Sequence, residues 1–201
     1  MAGKKETLYS MIFTISSKLV TYFILLVLGN LFIKAAYGEA VFIMNLFYIA
    51  SALTLTTGSD ILIPWIIKKK DTRSVVYFML VLSLLFSFII TIISFNYPHI
   101  IPLIFLPPLF VISNVSKAYL QTRYKYHYIG LIGLIYAIVS LISIYILRDL
   151  NTLGIILGYA IAYFTITIIY SSLAINELKK LFKTIKIKFQ PIKEYTQKAF
   201  I

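Results

Sequence analysis

Six long apolar runs, separated by short polar stretches, constrain this chain more than any other feature. They fall at about residues 8–33, 40–67, 74–95, 100–120, 128–147 and 153–175. A helix needs about 20 mostly apolar residues to cross the hydrocarbon of a bilayer. Each run meets that length, and the first two exceed it enough to tilt or project. The apolar residues are continuous rather than alternating, which argues against the strands of a barrel. Lipid tolerates only helices and closed barrels, because every backbone amide must be satisfied within the structure. Composition agrees: 60% of the residues are hydrophobic and 13% charged, against about 45–50% and about 25% in ordinary globular chains. The expected fold is an all-α membrane protein, with a six-transmembrane-helix bundle over residues 1–175.

The net charge of +12 does not point to nucleic acid, because of where the charges lie. They form short blocks between apolar runs, the pattern of topology signals at an anionic membrane surface. Lys4, Lys5, Lys68, Lys69, Lys70, Arg73, Lys117, Arg123, Lys125 and the seven lysines of residues 179–198 fall on one side. Of the 19 Lys and Arg residues, only Lys34, Arg148 and Lys18 do not, and Lys18 lies inside a span. The positive-inside rule then places both termini in the cytoplasm of a multi-pass cell-membrane protein. Outer loops are expected at residues 34–39, 96–99 and 148–152. Lys4 and Lys5 precede an apolar run far longer than the core of a signal peptide, so that run reads as a retained helix.

The chain has no cysteine, which excludes a disulfide scaffold, Cys-based zinc sites and thiol catalysis. It carries no P-loop, no paired metal ligands and no nucleophile with a base. No enzymatic activity, cofactor or metal is expected.

Ionisable groups inside the membrane carry the most functional weight, since a Lys or Asp at a helix centre costs about 2.5–3.5 kcal/mol. Lys18 lies about 15 Å along the first helix, close to mid-membrane. Ser10, Thr14, Ser17 and Thr21 share its helical face. Asp60, on the next, antiparallel span, falls at similar depth, so Lys18 and Asp60 are expected to pair or to face one another across a cavity. A structural ion pair and a transport role are both open. Asn45, higher on the same span, is a weaker candidate for binding. Further hydroxyl stripes occur on the third helix (Ser83, Ser87, Thr91, Ser94) and the fifth (Tyr136, Ser140, Ser143). They either line a polar interior or satisfy backbone carbonyls and join helices.

Other features are architectural. Gly154, Gly158 and Ala162 make a small-residue strip suited to close helix packing. Pro98, Pro102, Pro107 and Pro108 cluster where the fourth helix starts and predict a break there. His99 and His127 lie at membrane edges. Arg123, among Tyr119, Tyr124, Lys125 and Tyr126, anchors at the inner interface or binds a phosphate head group. Leu178, Leu181, Phe182, Ile185 and Phe189 recur at helical spacing among lysines. That predicts a cytoplasmic basic amphipathic helix over residues 176–190, suited to lying in the inner headgroup layer, with a solvated linker as the alternative. Pro191 is expected to break it, and residues 191–201 read as the start of a further, truncated element.

Three stretches carry a family resemblance. Phe32-Ile33-Lys34-Ala35-Ala36-Tyr37-Gly38-Glu39-Ala40 is similar to the first turn of polysaccharide flippases. Thr57-Gly58-Ser59-Asp60, before the basic loop Lys68-Lys69-Lys70-Asp71, resembles their second helix. Ala118-Tyr119-Leu120-Gln121 through Arg123 resembles the connection between helices four and five. The chain thus resembles the N-terminal half of Wzx-type flippases, in the multidrug/oligosaccharidyl-lipid/polysaccharide exporter superfamily. The resemblance implies two six-helix bundles around a central cavity, whose cationic side chains face the phosphate of a lipid carrier. Lys18 fits that role. It also implies membrane lipids and a lipid-linked saccharide substrate as partners, together with a second six-helix half. That half is either a separate chain or the other member of a C2 homodimer. Two alternatives stand beside this one: a cation-coupled small-molecule antiporter using Asp60, and a non-transporting membrane scaffold or remnant.

Overall fold

The computed structural model describes residues 15, 29–30, 32, 34–53, 59–68, 70–183 and 187–199, and among them there are helices and no strand. The helices are α1 (Lys34–Leu53), α2 (Ser59–Ile67), α3 (Thr72–Ser94), α4 (Leu106–Thr122), α5 (Tyr126–Ile146), α6 (Thr152–Leu173), α7 (Ile175–Phe182) and α8 (Phe189–Ala199). Short 3-10 stretches, Pro98–Phe105 and Arg148–Leu150, precede α4 and α6. Among the described residues four helical segments are long and apolar enough to cross a membrane: α3, Pro98–Thr122, α5 and α6.

The ends of α3, α5 and α6 fall within about two residues of the expected limits. The proline cluster acts as anticipated. Without their amide hydrogens, Pro98 and Pro102 hold the chain in a 3-10 helix until Leu106, where the α-helix begins.

Two expectations are corrected. Residues 34–39 are not a loop but the first turns of α1. Ala35 and Ala36 are strong helix formers, and Glu39 is held by the Thr152 hydroxyl, which donates to its carboxylate at 2.7 Å. The expected helix over 40–67 is described as two segments, α1 and α2.

The second correction concerns the tail. It is not one amphipathic helix over 176–190 but two helices, α7 and α8. Pro191 falls in the first turn of α8, where its missing N–H costs nothing, so it helps start a helix instead of breaking one. Leu178, Leu181, Ile192 and Tyr195 are buried. Leu178, Leu181 and Tyr195 join a core cluster with Leu62, Trp65, Val75, Met79 and Val115. The tail thus packs against the ends of α2, α3 and α4.

Packing between α5 and α6 runs through the small-residue strip. A Cβ on Gly158 would stand 2.3 Å from Ile144 Cγ1, and one on Gly154 2.0 Å from the Leu147 carbonyl oxygen. Ala162 is fully buried. Helix α1 lies along α6 in the same direction: Ala40 clusters with Ile155, Met44 and Phe47 with Ile156, and the Phe47 ring meets Tyr163 at 6.5 Å.

Helix α3 turns its hydroxyls inward and its large apolar side chains outward. Ser83 and Ser87 are buried, while Val81, Leu84, Leu85, Phe88 and Ile92 are exposed. A continuous apolar outer face suits lipid contact. Its hydroxyls are satisfied locally, Ser83 donating to the Leu80 carbonyl at 2.7 Å, Ser87 to Ser83 at 3.0 Å and Thr91 to Ser87 at 2.9 Å. Ser140 does the same on α5, to Tyr136 at 2.7 Å. For these residues backbone satisfaction, not a polar lining, describes the geometry.

Candidate functional site

Of the residues singled out for substrate binding, Thr14, Ser17, Lys18 and Thr21 lie outside the described residues. Asp60 is in the first turn of α2, with its backbone alone described. The expected meeting of Lys18 and Asp60 is therefore outside the described residues as well. Asn45 is on α1 and exposed.

Arg123 follows the last turn of α4, where Tyr124 turns the chain with a φ of 57°. Its guanidinium pairs with the Glu177 carboxylate. Glu177 is buried and Arg123 half-exposed, with side-chain exposures of 9% and 50%. Further contacts complete a clasp between the tail and the bundle. Lys70 Nζ donates to Glu194 at 2.7 Å and sits 4.5 Å above the Trp65 ring. Arg73 donates to the Lys180 carbonyl at 3.1 Å, and the Lys188 amide donates to Ser74 Oγ at 2.8 Å. The Trp65 and Tyr195 rings meet edge to face at 5.5 Å. Burial raises the Tyr195 phenol above its ordinary range, so it stays neutral.

At the opposite end of the bundle a cleft of about 470 Å³ runs between α1, α3 and the Pro98–Phe105 segment. Its walls are apolar, including Phe42, Leu46, Phe47, Ile89, Ile93 and Leu103. Polar groups stand only at its edge, where His99 Nε2 lies 3.4 Å from the Glu39 carboxylate. A mostly apolar hollow with a few convergent polar groups is the usual form of a small-molecule site.

Halfway along the bundle, aromatic side chains gather from α1, α4, α5 and α6. Tyr136 and Tyr163 meet edge to face at 5.1 Å. Phe110 lies 6.0 Å from Tyr163, and Phe47 lies 5.9 Å from Tyr48. The hydroxyls of Tyr48, Tyr136, Tyr159 and Tyr163 are close enough to act on one another electrostatically. The Tyr48 and Tyr163 hydroxyls both approach Tyr136 without reaching hydrogen-bond geometry, and Tyr136 Oη is buried with no bonded partner among the described residues.

The sequence reading named Tyr136, Asn45 and Arg123, but it missed Tyr48, Tyr159, Tyr163, Glu177 and Glu194. A signal for the first group existed: Tyr159 and Tyr163 stand one turn apart on one helix face. Glu177 and Glu194 stood out as isolated carboxylates in a lysine-rich tail.

No protein-family model matches this chain, and a search of curated proteins finds no matching sequence.

Proposed function

We propose that this chain moves lipid-linked oligosaccharide or polysaccharide precursors across the cell membrane by alternating access, as one half of a complete transporter. In this reading it makes six spans with both termini cytoplasmic, the first preceding α1 and the second comprising α1 and α2. The basic clasp then lies at the cytoplasmic end and the apolar cleft at the outer end. A second six-helix half, from a separate chain or a second copy, closes the passage.

The observation that carries this reading is Asn45. It stands eleven residues into α1, about 16 Å from the start at 1.5 Å per residue. That is near the middle of a hydrocarbon core about 30 Å thick. Depth is set independently by α6, because Phe47 packs on Tyr163, eleven residues into that helix. An exposed carboxamide at that depth is unfavourable against lipid and favourable against a hydrated passage or partner. The cleft adds a second point: apolar walls with a polar edge suit an amphiphile whose tail stays in lipid while its head group crosses. The flippase resemblance supplies the saccharide and assigns Lys18 to the carrier's phosphate.

Reconstitution in liposomes tests the reading. The protein is expected to make a lipid-linked saccharide in the inner leaflet accessible to an external lectin. Lys18→Ala is expected to abolish that movement at unchanged protein level. Full movement in the Lys18→Ala protein counts against the phosphate role. No movement of any lipid or solute, with or without a second half, favours a scaffold instead.

A further inference from the structure

We propose that Asn45, Tyr48, Tyr136 and Tyr163 form a contact site for a neutral, hydroxyl-rich group, the saccharide portion of the cargo; this rests on the transport reading above. Three of the four stand in the middle stretch of their helices, and Tyr48 lies one turn beyond Asn45 on α1. Tyr136 is ten residues into α5, and Asn45 and Tyr163 are each eleven residues into theirs, or about 15–17 Å along the axis. Asn45 and Tyr48 are three residues apart and so share one face of α1.

The chemistry of the group is neutral. Apart from His127 at its first turn, α5 has no ionisable nitrogen or carboxylate, and α6 has none. The four side chains offer three phenols and one carboxamide. Each phenol both donates and accepts, and the amide adds two donors and an acceptor. Such a set matches sugar hydroxyls, which also donate and accept. It gives no ion pair to a phosphate, which fits a division of labour with Lys18.

Availability separates the Tyr136 hydroxyl from most others in the membrane, Ser171 Oγ near the end of α6 sharing its state. Ser83, Ser87 and Thr91 of α3 and Ser140 of α5 bond the carbonyl three or four residues back. A phenol is too long and rigid to do so. Tyr136 Oη is buried without a bonded partner, with the Tyr48 and Tyr163 hydroxyls near it, and that state costs free energy unless a neighbouring or an entering hydroxyl completes it. The edge of the group is open, since Tyr48 is 40% exposed and Asn45 beside it is exposed too. The flat faces of the Tyr136 and Tyr163 rings add an apolar body behind the polar tips.

The test uses the full-length protein in nanodiscs and two probes, a polyprenyl diphosphate and the same lipid carrying a disaccharide. The wild type is expected to bind the sugar-bearing lipid about tenfold more tightly, the effect of one or two added hydrogen bonds. The double substitution Tyr136→Phe with Tyr163→Phe keeps both rings. It is expected to bring the two probes within about twofold of each other, with binding of the bare lipid and the melting temperature unchanged. Asn45→Leu is expected to lower the preference about threefold by itself. Equal binding of the two probes by the wild type overturns this site and leaves the transport reading standing. So does a tenfold preference that survives the double substitution. A wild type that binds neither probe overturns the transport reading, and the site falls with it.

Discussion

Arg123→Ala is expected to lower the stability of the purified protein more than Glu177→Ala does. The two side chains form one ion pair but stand in different surroundings: Glu177 is 9% exposed and Arg123 50%. Removing Arg123 leaves a carboxylate without its cation in a buried position. Breaking a fully buried pair in this way costs about 3–5 kcal/mol. Half-exposure of the arginine reduces that, because water already screens it, and about 2–3 kcal/mol is the expected loss. Removing Glu177 leaves an arginine that can turn into water, and the loss should be about 1 kcal/mol. The double substitution should resemble Glu177→Ala alone, since the stranded carboxylate is gone. Thermal denaturation of the three variants in one detergent reads this pattern. Equal small losses from both single substitutions would show a screened surface pair and no clasp.

Gly158→Leu is expected to separate α5 from α6. A Cβ at this position would meet not only Ile144 Cγ1 but also the Ile144 backbone nitrogen, at 2.9 Å, and its Cα, at 3.0 Å. A side-chain atom can rotate away, but a backbone atom inside a helix cannot. The helix axes must move apart, which strips contacts from the strip where Gly154, Gly158 and Ala162 meet α5. Overpacking costs about 1–3 kcal/mol in adaptable cores, and a backbone clash places this substitution at or above about 3 kcal/mol. Gly38 makes the control, because a Cβ there meets nothing within 4 Å. Gly38→Ala should leave the melting temperature unchanged or slightly raised, as alanine favours a helix. A Gly158→Leu protein that melts with the wild type would contradict the close approach of these two helices.

The elements most legible in the sequence are those whose cause is local. The apolar runs of α3, α5 and α6 are bounded by Asp71, Lys125 and residues 148–151, so their ends could be read from hydropathy alone. The small strip on α6 and the proline break before α4 are likewise written in short stretches of chain. The start of α1 was hidden because Lys34 and Glu39 look like loop residues until Thr152, more than a hundred positions on, is seen to hold Glu39. The break in the tail is hidden for the same reason. Its apolar spacing runs through residues 178–189 without a gap, while its path depends on Arg123, Lys70, Ser74 and Trp65, all distant in sequence. The tyrosines are less legible than Lys18 and Asp60, because they carry no charge and aromatic residues in such a chain ordinarily anchor at the interface. Only tertiary packing brings Tyr48 to Tyr136 and Tyr163.

Chemical labelling at two positions of equal depth tests the idea of a hydrated passage most directly. The chain has no cysteine, so each introduced thiol reports alone. Asn45→Cys places one on α1, and Leu84→Cys places one twelve residues into α3, on its exposed apolar face. In intact membranes a water-soluble, membrane-impermeant maleimide is expected to react with the cysteine at 45 and to leave that at 84 unlabelled until detergent is added. If both stay unlabelled until then, the face of α1 that holds Asn45 is turned to lipid, and there is no passage along it.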